Sequence, residues 1–160
     1  MNWRSTFIAS SALAALLAVL PIAHAESINA GSRTASSTRP FTAKAVAEFD
    51  TPWAIAFLPD GRMLVTEKPG HIYLVSQSGN KTEVGNVPAV AARGQTGLLD
   101  IAVAPDFATS SHIYFTYVEP GDEGSRLVLA RAALSISAGR ITLADRSIIW
   151  RQTPAGGGGQ

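Results

Sequence analysis

A repeat constrains this chain more than any other feature. An apolar run over 53–58 ends in Pro59-Asp60, and a second over 98–104 ends in Pro105-Asp106, so the two Pro-Asp pairs stand 46 positions apart. Proline presets φ and Gly61 accepts a positive φ, which makes 59–61 a turn. Turn residues and alternation predict strands over 41–49, 53–58, 63–67, 71–76 and 81–84, then over 98–104, 112–119, 126–134 and 141–150. Strands this short, broken by turn signals every 8–12 residues or so, point to an all-β fold. The period is close to the 40–50 residues of one propeller blade. About two four-stranded units therefore favour a partial β-propeller. A β-sandwich whose turns match by coincidence is the competing architecture.

The propeller reading has a physical consequence. Blades bury their faces against neighbours, and closure takes typically 4–8 of them. Two blades leave two faces open, and several hundred Å² of wet apolar surface forfeits on the order of 10 kcal/mol, comparable to a whole domain's stability. The 160-residue chain is expected to be unstable or aggregation-prone alone and to be part of a longer protein.

Segment 1–25 reads as a secretory signal peptide. Arg4 supplies the positive start, 7–20 is apolar and uncharged, and Ala23-His24-Ala25 fits cleavage after Ala25. The apolar run is shorter than the roughly 20 residues that span a bilayer. Cysteine is absent, which removes a lipidated export signal, disulfides and thiolate metal sites. The expectation is a periplasmic or secreted protein without a membrane anchor. Segment 26–40, rich in Ser, Thr and Arg, is expected to be disordered, with the folded domain over 41–160. Without Arg4 the 13 cations fall to twelve against 12 anions, and no basic cluster stands out. Nucleic-acid binding lacks its electrostatic footprint.

Few residues could carry chemistry. The connections over 86–96 and 153–160 leave the two units at corresponding places, and each reaches a Gly-Gln pair, Gly94-Gln95 and Gly159-Gln160. A glutamine amide both donates and accepts, which suits a sugar hydroxyl. The bland alternative is that Gln95 caps a loop and Gln160 falls there by chance. The four glycines over 156–159 fit either a flexible tail or a backbone passing close to a ligand. His71 and His112 begin strands without an adjacent nucleophile, and Asp60 and Asp106 read as turn residues. No metal-ligand spacing, phosphate loop or dinucleotide fingerprint is present.

The ordered part resembles the glucose/sorbosone dehydrogenase family, most of all its soluble aldose sugar dehydrogenase branch. The matching stretches are Thr51-Pro52-Trp53-Ala54-Ile55-Ala56-Phe57-Leu58-Pro59-Asp60-Gly61, Leu64-Val65-Thr66-Glu67, Gly94-Gln95-Thr96-Gly97-Leu98-Leu99-Asp100 and Ala104-Pro105-Asp106-Phe107. The resemblance implies a six-bladed β-propeller that uses pyrroloquinoline quinone (PQQ) and calcium to oxidise aldose sugars at C1. It makes Gln95 a substrate-binding residue and assigns Gln160 to a polar position where other members carry Asp or Asn. The family's catalytic His would come just after Gln160, and its PQQ-holding Arg and Lys residues and calcium ligands lie in later blades. The chain alone is therefore expected to be inactive. Two alternatives are a non-catalytic periplasmic propeller that binds a carbohydrate or protein partner, and a calcium-dependent lactonase on a similar propeller.

Overall fold

Alternation decides how the strands pair. A computed structural model of the protein describes Thr38 and residues 41–156. The chain divides into Met1–Thr42 and Ala43–Gln160. Of the first unit Thr38, Phe41 and Thr42 are described, and they form no helix or strand. The signal peptide expected over 1–25, nearly all of the disordered segment expected over 26–40, and Gln160 lie outside the described residues.

In the second unit β1 (Pro52–Phe57), β2 (Met63–Glu67), β3 (His71–Val75) and β4 (Lys81–Glu83) form one sheet in chain order. A second sheet, again in chain order, holds β5 (Leu98–Val103), β6 (His112–Glu119), β7 (Arg126–Ser137) and β8 (Arg140–Arg151). Every neighbouring pair is antiparallel. Each sheet is thus a meander whose innermost strand, β1 or β5, comes first, and β1 and β5 lie side by side.

Register sets which residues each face carries. Pairing places Ala54, Ala56, Leu64, Thr66, Ile72 and Leu74 on one face of the first sheet. That face packs on Ile101, Ile113, Phe115 and Val128 of the second sheet, around one shared core. Thr66 crosses the junction. Its buried hydroxyl accepts the Ala54 amide at 3.0 Å and donates to the Leu99 carbonyl at 2.7 Å.

The opposite face of β1 remains apolar and open: Trp53, Ile55 and Phe57 are 48%, 53% and 65% exposed. A complete sandwich turns polar residues outward along its strands, so this arrangement belongs to adjacent propeller blades. Half-exposed Ile148, Ile149 and Trp150 on β8 leave apolar surface on the second sheet as well.

The connector between the sheets is tied at both ends. Gly85 donates to the Ile141 carbonyl and accepts from the Leu143 amide, making a parallel bridge to Thr142 of β8. The Leu98 amide, at the other end, bonds the Lys68 carbonyl.

Two expectations are corrected, and a short helix that the sequence did not announce is added. No strand forms over 41–49, because that segment is held by side chains and has no ladder partner. Lys81 Nζ donates to the Glu48 carbonyl at 2.8 Å and stands 4.3 Å from the ring centres of both Phe49 and Tyr73. The Asp50 amide donates to buried Glu67 at 2.8 Å. β7 and β8 run longer than expected because Ala138 and Gly139, both at positive φ, make a tight hairpin that keeps them paired to the Ser137–Arg140 end. A one-turn helix, α1 (Phe107–Ser110), follows Asp106, whose carboxylate accepts the Ser110 hydroxyl. Asp60 does behave as a turn residue: it takes the Arg62 amide and guanidinium, and those bonds hold its carboxyl below the usual range.

Candidate functional site: a cleft beside Gln95

The connector over 86–96 follows β4 and reaches the rim at Gly94-Gln95. Its lower part is anchored to the second sheet by the Ala91 amide on the Val118 carbonyl. Thr96, 2% exposed, folds the tip. Its hydroxyl lies 2.6 Å from the Ala91 carbonyl and 2.8 Å from that of Arg93, and accepts the Arg93 amide at 3.1 Å. Lys68 Nζ donates to the Gly94 carbonyl from below. Gly97 then passes so close to Lys68 that a Cβ would sit 2.3 Å from its carbonyl oxygen, at φ +145°. Glycine is required there, and the close passage turns the chain from the rim into β5.

With its neighbours fixed, Gln95 stays exposed in the wall of a cleft of about 650 Å³. Arg93 and Gly94 flank it, while Pro120, Ser125 and Gly156 line other parts of the wall. Ser125 and Gly156 bond each other through both amides, at 3.0 and 2.9 Å. Gly124 is needed for this approach, since a Cβ on it would meet the Gly156 carbonyl at 2.6 Å. The chain leaving β8 is thereby brought to the cleft that contains Gln95.

Of the two glutamines singled out from the sequence, Gln95 lines the cleft and Gln160 lies beyond the described residues. Sequence reasoning missed Arg93, the one charged side chain among the described residues lining the cleft. Its place in the Gln95 loop was the available signal. Glu119, just before the Pro120 loop, is paired with Arg151, and that bond pushes the Arg151 pKa upward. His71 is engaged elsewhere, 2.7 Å from Glu83 across the β3–β4 ladder. Among the described residues no three His, Asp or Glu side chains gather into a metal site, and no helix is long and apolar enough to cross a membrane.

Residues 49–160 match the family model described as Glucose / Sorbosone dehydrogenase. The chain belongs to the glucose/sorbosone dehydrogenase family. It is 38% identical over 114 residues to the aldose sugar dehydrogenase YliI of Escherichia coli, covering 67% of this chain and 29% of that one. The apo crystal structure of the soluble aldose sugar dehydrogenase from E. coli superposes with a TM-score of 0.60 at 37% identity, covering 66% of this chain and 31% of that one. The PQQ-bound form of the aldose sugar dehydrogenase from Streptomyces coelicolor gives 0.57 at 32% identity, covering 69% and 33%. The chain thus spans about a third of the length of these glucose/sorbosone dehydrogenase relatives, and its two sheets are two blades of their β-propeller.

Proposed function

We propose that this chain is the N-terminal part of a PQQ-dependent dehydrogenase that oxidises aldose sugars at C1 to lactones. The supporting observation is the placement of Gln95, the glutamine of the family's Gly-Gln-x-Gly-Leu-Leu motif, in the wall of the cleft of about 650 Å³. Its amide would bond the sugar's hydroxyl groups as donor and acceptor, orienting the substrate rather than reacting with it. Arg93 would add a cation to the same rim. Export through 1–25 would deliver the protein to the periplasm or beyond.

The described residues do not themselves fit the cofactors. Calcium finds no cluster of carboxylates, and a tricarboxylate such as PQQ would meet Arg93 as the one cation lining the cleft. Bound PQQ would supply the hydride acceptor. The contribution argued for this chain is substrate positioning by Gln95.

The test is a fusion of this chain to the part of the E. coli enzyme that follows the matched segment, assayed with PQQ, calcium, an aldose and a dye acceptor. Turnover is expected from the fusion and not from the 160-residue chain alone. Gln95→Ala should lower kcat/KM about tenfold, the loss of one or two hydrogen bonds of about 1 kcal/mol each. Unchanged kcat/KM in a folded fusion would remove Gln95 from the site.

A further inference from the structure

Sugar positioning by Gln95 leaves Arg93 without a task. Among the described residues lining the cleft Arg93 is the one charged side chain, so no carboxylate there offsets it. Its backbone is fixed. The amide donates to the Thr96 hydroxyl at 3.1 Å, and the carbonyl accepts the Thr96 amide at 2.7 Å. Its guanidinium makes no hydrogen bond or ion pair among the described residues. The acids of the Pro120 loop are engaged elsewhere. Glu119 pairs with Arg151, Glu123 faces Arg126 at 4.0 Å, and both line a separate hollow of about 320 Å³. Lys68 does not line the cleft. It donates to the Gly94 carbonyl and lines a neighbouring hollow of about 210 Å³ that Arg93 also borders. Among the described residues, then, the cleft wall carries one positive charge with no partner. Arg93 and Gln95 are the first and third residues of one turn, closed by the Thr96 amide. Two residues of chain span at most roughly 7 Å, so a single monosaccharide can touch both side chains.

We propose that Arg93 sets the substrate class: the aldose oxidised here carries a carboxylate remote from C1, as a uronic acid does, and the Arg93 guanidinium binds it. This rests on the sugar dehydrogenase reading and narrows it. A guanidinium takes a carboxylate through two parallel hydrogen bonds. Charge separates the anions: one cation balances one carboxylate, whereas a phosphate dianion keeps a negative charge unmatched. A neutral hexose leaves Arg93 with no counter-charge at all. C1 remains the reacting end, and Gln95 orients the hydroxyl groups.

The fusion described above, loaded with PQQ and calcium, is assayed with glucose, glucuronate and glucose 6-phosphate. A kcat/KM at least tenfold higher for glucuronate than for glucose is expected. Arg93→Gln should close that gap, and added salt should narrow it in the parent. Equal values for the two sugars, or a gap that survives Arg93→Gln, overturn the proposal. Preference for glucose 6-phosphate over glucuronate overturns the carboxylate assignment. Binding gives a second readout that needs no turnover. Methyl glucuronide and methyl glucoside, both blocked at C1, are titrated into the fusion by calorimetry. The glucuronide should bind at least tenfold more tightly in the parent and no more tightly than the glucoside in Arg93→Gln. Equal binding in the parent refutes the proposal. So does a loss of PQQ affinity in Arg93→Gln with sugar binding unaltered, which would assign Arg93 to the cofactor. Absence of turnover with all three sugars would count against the dehydrogenase reading, and the two blocked sugars would still decide what Arg93 binds.

Discussion

Ile55 and Ile101 hold the same place in successive innermost strands, yet Ile101 is 5% exposed and Ile55 is 53% exposed. Both stand 46 positions apart, the spacing of the Pro-Asp pairs. One faces a neighbouring sheet, and the other faces no sheet among the described residues.

This difference fixes opposite responses to one substitution. In the 160-residue chain, Ile101→Ala is expected to destabilise by about 2–5 kcal/mol, as core truncations do. Ile55→Ala should stay within about 0.5 kcal/mol. Urea unfolding of both variants decides it, and similar losses would mean the β1 face is covered. Ile55→Asp should also reduce self-association in sedimentation.

Thr66 is expected to be among the most sensitive polar residues. Thr66→Val keeps the shape but leaves the Ala54 amide and the Leu99 carbonyl without their partner. Each unmade bond costs about 1–3 kcal/mol when buried. Thr66→Ser should recover most of the loss in thermal melting, and failure to do so would assign the effect to packing.

Lys81 clamps the segment before β1. Its ammonium stands over Phe49 and Tyr73 and holds the Glu48 carbonyl. Lys81→Met should cost about 1–2 kcal/mol and speed amide exchange at Asp50, whose amide rests on Glu67. Unaltered exchange at Asp50 would show that Glu67 alone retains the segment.

Alkaline pH should unfold the chain partly through Tyr117. Burial in the core, where it stacks on Phe115 at 5.8 Å, pushes its phenol above the ordinary value of 10.0. The folded state binds that proton more tightly than the unfolded one, so its contribution is whole below pH 10 and is lost as pH rises through the folded value. Tyr117→Phe should move the alkaline unfolding midpoint upward, followed by circular dichroism. A midpoint that does not move would place the sensitivity at another group, such as Tyr73, which is also raised by burial.

Much of this architecture was legible because side-chain period and turn chemistry are local. β2 and β6 begin and end where alternation placed them, and β1, β3, β4 and β5 differ by a residue at most at each end. Segment 41–49 misled because its apolar residues satisfy a strand pattern, while a strand needs a ladder partner that no local pattern supplies. The overrun of β7 and β8 depended on Ala138 taking a positive φ, which alanine rarely does. At the site, Gln95 was visible through its motif. Arg93 and Ser125 were not, because their meeting in one cleft depends on how two connections cross.

The connector that carries Gln95 is pinned by Gly85 on β8, by Ala91 on β6 and by Gly97 beneath Lys68. Between those pins Ala92 to Gln95 is the one unbroken exposed stretch. Exchange of Ala92 or Arg93 therefore leaves those pins untouched, and under the proposed function it would change the wall beside Gln95 without altering the scaffold.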